Sequence, residues 1–227
     1  MRVLAIDCAL DACAAAVFDS DAGTIVASET RIMARGHAEA LMPLIARVMD
    51  EAEIEFRDLG RIAVTVGPGS FTGLRVGISA ARGIALAARK PAIGLTTLAG
   101  LAAPHIAEDH TTPVVAAIDA RHDHVYMQVF GPGGRTLLAP RIVPLREAAR
   151  AATAGPARIV GSAAALVIGS WPRGAPLPAL VDQRAAPDIA WVARLGAAAS
   201  EAEGPPKPLY LRAPDAQPQV ASRLLRR

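Results

Sequence analysis

The chain has 227 residues, which fits either one large domain or two compact domains. Hydrophobic residues make up 52% of the sequence and charged residues 20%, so the chain can bury a core without disulfides, and wholesale disorder is excluded. The formal net charge is only +3, and 4% of the residues are aromatic. Such a small charge and so few stacking side chains argue against a nucleic-acid-binding surface.

The N-terminal residues and the two cysteines indicate the cellular compartment of the protein. The apolar stretch from Met1 to Phe18 is interrupted by Asp7 and Asp11, so it lacks the apolar core of a signal peptide. Cys8 and Cys13 have neither the C-x-x-C spacing of a redox pair nor the spacing of a zinc site. We therefore expect buried, reduced thiols in a cytoplasmic protein without a membrane span.

The predicted elements of the first half run strand, strand, strand, helix, strand, helix, followed by one more strand and one more helix. Apolar runs with short turns between them indicate a hairpin and a third strand, and a period near 3.6 then indicates a helix that Pro43 either kinks or delays. In chain order, the strands are predicted at Val3–Asp7, Ala12–Phe18, Thr24–Ile32, Ile62–Val66 and Ala92–Leu95, and the helices at His37–Glu53, Leu74–Arg89 and from Thr97, its cap, to just before Pro104.

A similar pattern starts again after the polar, aperiodic residues His105–Pro113, which we interpret as a joint. Two similar α/β halves, residues 1–104 and a smaller part at residues 105–227, are the simplest account of this repeat. In the second half, strands are predicted at Val114–Ala120, Val125–Phe130 and Ala157–Val160, and helices at Leu145–Ala152 and Ala186–Glu203.

The glycine-rich segment Gly67–Gly73 lies between a predicted strand and a predicted helix, where backbone N–H groups can hold a phosphate. A Walker loop has Lys and then Ser or Thr after its last glycine, whereas Leu74 and Arg75 follow here. A dinucleotide fingerprint has glycine where Thr72 stands. The residues therefore favour a tight turn with Ser70 or Thr72 as helix cap over a nucleotide site.

Other candidate sites are weak. Asp7 and Asp119 end corresponding strands and could face each other across a cleft, but no glycine or threonine follows either one to hold a phosphate, so turn carboxylates are favoured. No histidine pair has metal-helix spacing, and no G-x-S-x-G elbow is present. His37 with Glu39 indicates helix capping. We expect no catalytic, cofactor-binding or metal-binding residues.

The helix after the glycine-rich segment has more apolar surface than one sheet covers. Its charges fall only at Arg75, Arg82 and Arg89, while the rest is apolar or small. Either the helix is enclosed within its own domain, or it packs against a partner's helix; we favour the second. The predicted partner interface uses both helices of the first half, with Leu41, Ile45 and Val48 filling the seam and Gly77, Ala80, Ala81 and Ile84 allowing close approach.

Several motifs together resemble one family over about the whole chain. They are Leu4–Asp7, Gly36–Pro43, Val66–Gly77, Asp119–Arg121 with Val125–Tyr126, and Pro208–Arg212. The run G-P-G-S-F-T-G-L-R is highly specific, and the sequence resembles the TsaB (YeaZ) family of bacterial threonylcarbamoyladenosine-biosynthesis proteins. Cys8, Ala9 and Ala38 depart from the family's usual Thr or Ser, which weakens any nucleotide site further.

The resemblance implies an actin/Hsp70/sugar-kinase-like fold of two ribonuclease-H-like lobes. It also implies a non-catalytic, cofactor-free subunit that pairs with the catalytic subunit TsaD, works with the ATPase TsaE, and reaches tRNA only through that complex. The reaction is threonylcarbamoylation of adenosine 37 in tRNAs reading ANN codons. We expect a homodimer when TsaD is absent. The alternatives are an ATP-dependent kinase or a glycoprotease-like peptidase of the same fold.

Overall fold

The computed structural model describes residues 1–200 and 204–212, which form two five-stranded sheets with helices on both faces. The strands are β1 (Arg2–Asp7), β2 (Ala12–Asp19), β3 (Thr24–Ile32), β4 (Arg61–Gly67), β5 (Ala92–Thr96), β6 (Val114–Asp119), β7 (His124–Phe130), β8 (Thr136–Pro144), β9 (Arg158–Val160) and β10 (Leu180–Asp182). The helices are α1 (His37–Glu51), α2 (Phe71–Ala88), α3 (Thr97–Glu108), α4 (Leu145–Ala152), α5 (Ala164–Gly169) and α6 (Ile189–Ala198).

The two sheets repeat one topology. The first has the order β3-β2-β1-β4-β5, in which β1 pairs antiparallel with β2 and parallel with β4. The second has the order β10-β9-β6-β7-β8, in which β6 pairs antiparallel with β7 and parallel with β9. The repeat predicted from the sequence is therefore present, with the two hairpins in separate sheets.

Each sheet has one face covered by the helices that follow its own strands. Leu4 and Ile6 of β1 point towards α1 and α2, where they pack with Leu44 and Ile78 in the first core. On the second sheet, α4 and α5 cover the corresponding face with small side chains such as Ala148 and Ala164. We call the first sheet with α1 and α2 the first lobe, and the second sheet with α4 and α5 the second lobe.

The other two faces are covered by helices that lie between the sheets. Helix α6 packs Val192 and Ala193 onto Val3 and Ala5 of the first sheet, whereas α3 packs onto β6 of the second sheet. The two helices also contact each other. The division at residues 104 and 105 separates the two sheets, but it falls inside α3, and α6 lies on the first sheet although it follows the second in sequence.

Several predicted elements need correction. Helix α3 continues through Pro104 to Glu108, so the joint predicted at His105–Pro113 is shorter than expected. The N-cap of α3 is Thr96 rather than Thr97, because the Thr96 hydroxyl accepts a hydrogen bond from the backbone N–H of Ala99. Strands β8 and β10 and helix α5 were not predicted. Helix α6 lies within the predicted Ala186–Glu203, whose last three residues lie outside the described ones. Within the described chain no helix has both the length and the apolarity to cross a membrane.

Candidate partner face and interlobe cleft

The sequence-predicted interface residues lie mostly inside the first lobe. Within α1 and α2, the predicted stripe faces the lobe's own sheet, because the same apolar period that indicates a partner seam also marks the side of a helix that packs on its sheet. Of the seven predicted interface residues, Ala80 is half-buried and six are buried: Leu41, Ile45, Val48, Gly77, Ala81 and Ile84. These six residues are therefore not available for direct contact with a partner, and that part of the prediction is corrected.

The opposite side of the two helices is exposed, and small or apolar side chains lie there among charged ones such as Arg47 and Arg82. Met42 is 49% exposed and Leu86 is 82% exposed. Nothing lies within 4 Å of the position that a Cβ on Gly83 would take. We call this surface the outer helix face; its members are Met42, Ala46, Ser79, Ala80, Gly83 and Leu86.

The glycine-rich loop before α2 is packed against the β1–β2 turn. A Cβ on Gly69 would run into the carbonyl oxygen of Ala9, and one on Gly73 would run into the carbonyl oxygen of Cys8. The backbone N–H of Ser70 donates to Ala9 O at 2.7 Å, and the Ser70 hydroxyl accepts from the N–H of Gly73 at 3.3 Å. These glycines therefore allow close backbone packing, and of the two predicted helix caps, Ser70 and Thr72, it is Ser70 that caps α2.

The two candidate carboxylates have separate environments. Asp7 is fully buried, where its Oδ1 accepts hydrogen bonds from the Ala9 N–H and the Thr65 hydroxyl, and burial raises the pKa of its carboxyl. Asp119 accepts from the backbone N–H of Arg121 at 2.8 Å and lines the cleft, whereas Asp7 is absent from the cleft lining. Both are turn carboxylates, as favoured from the sequence, and they do not form a pair across the cleft.

A cleft of about 710 Å³ separates the glycine-rich loop from the second lobe. Ser70 lines one side, and Asp119, Arg121 and His122 line the other. Arg121, His122 and Asp123 all have left-handed backbone conformations, with φ values of 63°, 51° and 54°.

Residues 204–212, which we call the closing segment, span the two lobes beside this cleft. The N–H of Leu209 donates to Val66 O at 2.7 Å, and the Tyr210 ring stacks on Phe71 with 5.2 Å between ring centroids. Farther on, the Arg212 guanidinium donates to Ala120 O at 3.0 Å in the second lobe. The motif Pro208–Arg212 does not predict this role, because no local sequence pattern shows what an extended segment contacts.

The histidines do not form a metal site. His37 Nε2 lies 3.1 Å from Leu10 O and does not cap α1, whose N-cap is Gly36, so the predicted capping by His37 is wrong. His105 is buried in α3 with its Nε2 2.9 Å from Asp182 Oδ2. Within residues 1–200 and 204–212, no three His, Cys, Asp or Glu side chains lie close enough together to hold a metal ion.

Comparison with known proteins places the chain in a family. Residues 23–167 match the family model described as TsaD: tRNA N6-adenosine threonylcarbamoyltransferase. The structure of YeaZ from Pseudomonas aeruginosa superposes with a TM-score of 0.78 at 29% identity, covering 92% of this chain and 99% of that one. The chain belongs to the TsaB (YeaZ) family.

Sequence relatives agree with this assignment. The tRNA threonylcarbamoyladenosine biosynthesis protein TsaB of Escherichia coli is 39% identical over 126 residues, which is 56% of this chain and 53% of that relative. The match thus spans about half the length of that TsaB protein. An uncharacterized protein of Mycobacterium tuberculosis is 33% identical over 95% of this chain and 94% of its own length.

The fold itself extends beyond this family. A ROK family glucokinase from Streptomyces griseus, solved with glucose and AMPPNP, superposes with a TM-score of 0.52 at 12% identity over 88% of this chain and all of that one. At this identity the likeness concerns the fold alone. The predicted sugar-kinase-like fold with duplicated lobes is therefore confirmed.

Proposed function

We propose that the chain is the non-catalytic subunit of a threonylcarbamoyltransferase complex, in which it binds and activates TsaD together with TsaE. The reaction served is the threonylcarbamoylation of adenosine 37 in tRNAs reading ANN codons. The observation that best supports this proposal is the family membership, combined with a glycine-rich loop whose glycines pack on the β1–β2 turn. Contact with tRNA would be made through the complex and not by this chain alone.

The outer helix face is the surface we propose for binding TsaD. It lies on the two helices predicted to form the interface, and it combines small residues at Ala46, Ala80 and Gly83 with the exposed apolar side chains of Met42 and Leu86. Small residues allow another helix backbone to come close, and burial of the apolar side chains on association is favourable by about 25 cal/mol per Å².

The same face would also support self-association. A two-fold contact needs only one self-complementary patch, so two copies can pair through the outer helix face when TsaD is absent. We therefore expect a homodimer alone and a heterodimer with TsaD, each excluding the other.

A kinase or a peptidase of the same fold is the alternative. The kinase would need backbone N–H groups at the glycine-rich loop that donate hydrogen bonds to a phosphate, but the Gly73 N–H already donates to the Ser70 hydroxyl. The peptidase would need an activated nucleophile or a metal pair. A turnover assay with Mg²⁺ and ATP tests the kinase: a rate abolished by Asp119→Asn, in the cleft lining, would contradict the proposal.

Complex formation and activity test the proposal together. The chain should copurify with TsaD from its source cell, and TsaD with TsaE should form threonylcarbamoyladenosine on tRNA faster when the chain is added. Failure of both measurements would contradict the proposed function.

Gly83→Arg tests the position of the interface. The new side chain would project into open space on the outer helix face, so the fold should be kept while pairing with itself and with TsaD is lost. Ala81→Arg is unsuitable, because Ala81 is buried in the first core. The matched control is Gly169→Arg on α5, which is equally open but lies in the second lobe. Normal pairing of folded Gly83→Arg in sedimentation velocity would place the interface elsewhere.

A further inference from the structure

The β1–β2 turn brings the two cysteines together beneath helix α2. Their Sγ atoms are 3.6 Å apart, and both side chains are buried, with Cys8 1% exposed and Cys13 fully enclosed. Both are free thiols in this structure. Sequence spacing gave no reason to expect a redox pair here, because the five-residue separation matches no known motif.

The strand register shows why these two thiols meet. The regular pairing of β1 with β2 ends at Asp7 and Ala14, and one further step places Cys8 opposite Cys13. Ser20 N–H donates to Met1 O at 2.9 Å, so Met1 and Ser20 form a hydrogen-bonded pair. Because hydrogen-bonded and non-hydrogen-bonded pairs alternate along an antiparallel ladder, Cys8 and Cys13 occupy a non-hydrogen-bonded position.

That position suits a covalent bridge. At non-hydrogen-bonded pairs the Cα atoms are about 4.5 Å apart, which is inside the range that disulfides span. The sulfur atoms already lie side by side, so their approach to bonding distance needs side-chain rotation and a small shift of the turn.

We propose that Cys8 and Cys13 form a reversible thiol–disulfide site that is oxidised by low-molecular-weight disulfides. This inference does not depend on the proposed function. The bridge would link neighbouring strands at the turn on which α2 rests, since the Cys8 carbonyl oxygen packs against Gly73 and the Cys8 Cβ lies 3.6 Å from the place of a Cβ on Gly77.

The two cysteines would have different roles. The contact between the two thiols lowers the pKa of Cys13, and the nearby Arg31 acts in the same direction. The same contact, together with burial, raises the pKa of Cys8. The pair contact and Arg31 favour Cys13 as the thiol that attacks first, because the thiolate is the nucleophile in disulfide exchange.

The exchange balances without any other reactant. When the turn opens, the Cys13 thiolate attacks one sulfur of the small disulfide, whose S–S bond breaks; one half leaves as a thiolate that takes up the proton lost by Cys13. Cys8 then loses its proton and attacks the Cys13 sulfur of the mixed disulfide, which releases the second half as a thiol. The protein loses two electrons and two protons, and the small disulfide is reduced to two thiols.

Equilibration with glutathione tests the proposal. Folded wild-type chain is incubated at a series of ratios of oxidised to reduced glutathione, then quenched with acid and examined by thiol titration and intact mass. We expect the free thiols to fall from two to none, and the mass to fall by about 2 Da, the loss of two hydrogens in one intramolecular bridge.

The same chain unfolded in denaturant is the matched control, because it has the same spacing without the fold. The folded chain should oxidise at a ratio of oxidised to reduced glutathione at least about tenfold lower than the unfolded chain needs, since the fold holds the two sulfur atoms together. In Cys8→Ala and Cys13→Ala no intramolecular bridge can form. Three outcomes would each overturn the proposal. They are two free thiols in the folded wild type at every glutathione ratio, a stable glutathione adduct, and easier oxidation of the unfolded chain than of the folded one.

Discussion

At the scale of single residues, Asp7 links stability to pH. Burial raises the pKa of its carboxyl, and one oxygen, Oδ2, has no hydrogen-bond partner among the described residues. The folded chain therefore keeps the Asp7 proton at pH values where the unfolded chain, with its ordinary pKa of 3.8, has released it. The folded state binds more protons in that window, so this residue makes the protein less stable as the pH rises from about 4.

We accordingly expect Asp7→Asn to be relatively more stable at pH 8 than at pH 4. An amide stays neutral, and its oxygen can still accept from Ala9 and Thr65. The gain at pH 8 relative to pH 4 comes from removing the buried charge, and it should amount to about 1.4 kcal/mol for each unit by which burial raises the Asp7 pKa. Urea unfolding at both pH values measures it, with the exposed Asp50→Asn as control. An equal difference between variant and wild type at both pH values would contradict the assignment to Asp7.

At the scale of elements, two glycines of α2 should respond oppositely to the same substitution. Gly83 has open space where a Cβ would stand, so Gly83→Ala should stabilise the protein by about 0.5–1 kcal/mol, the difference in helix propensity. Gly73→Ala should destabilise it, because the new methyl group meets the Cys8 carbonyl oxygen. Denaturant midpoints of the two variants test this pair. A shift of the midpoint in the same direction for both variants would contradict the prediction.

Arg158 fixes the C-terminal end of α3. Its guanidinium is almost fully buried and donates to three backbone carbonyl oxygens, those of His105, Asp109 and Thr112. Arg158→Ala leaves these buried acceptors without a partner, so we expect a loss of about 2–4 kcal/mol of unfolding free energy. The exposed Arg150→Ala on α4 is the control. A loss no larger than that of the control would mean that water replaces the guanidinium.

The same elements show which features the sequence could predict. Helix α4 was predicted with its observed bounds and α1 to within two residues, because their apolar periods are complete. Strand β8 was missed because Pro140 interrupts its pattern, which an edge strand tolerates. Helix α3 passes Pro104 because tertiary contacts outweigh the helix-breaking tendency of proline: His105 is buried, and Arg158 binds the helix end.

The candidate interface shows a second limit. Periodicity correctly marked Leu41, Ile45 and Val48 as one apolar stripe of α1, but it does not show whether a stripe packs on the protein's own sheet or on a partner. Exposure separates the two cases. Of the outer helix face, the sequence predicted only Ala80, because the face consists largely of alanine, serine and glycine, which any solvent-facing helix can carry.

At the scale of the whole molecule, the central helices should make unfolding cooperative. Helix α6 follows the second sheet in sequence but covers the first, and α3 follows the first sheet but covers the second, so unfolding of either half of the chain uncovers one face of the other half's sheet. We expect one unfolding transition. Trp171 packs on the second core and Trp191 lies on α6, so Trp171→Phe and Trp191→Phe each leave one reporter. Each substitution also changes the stability of the protein, so the denaturant midpoint of each variant is first corrected for that change. After this correction the two midpoints should agree. Different corrected midpoints would show that the lobes unfold separately.

The position of α6 has a consequence during synthesis on the ribosome. The first sheet is complete once Thr96 has left the exit tunnel, but the helix that covers its inner face ends about a hundred residues later, at Ala198. The strands made first are therefore enclosed last. While the second lobe is translated, Val3, Ala5 and Ala63 stay without their final covering, and the nascent chain has to protect this apolar surface from aggregation.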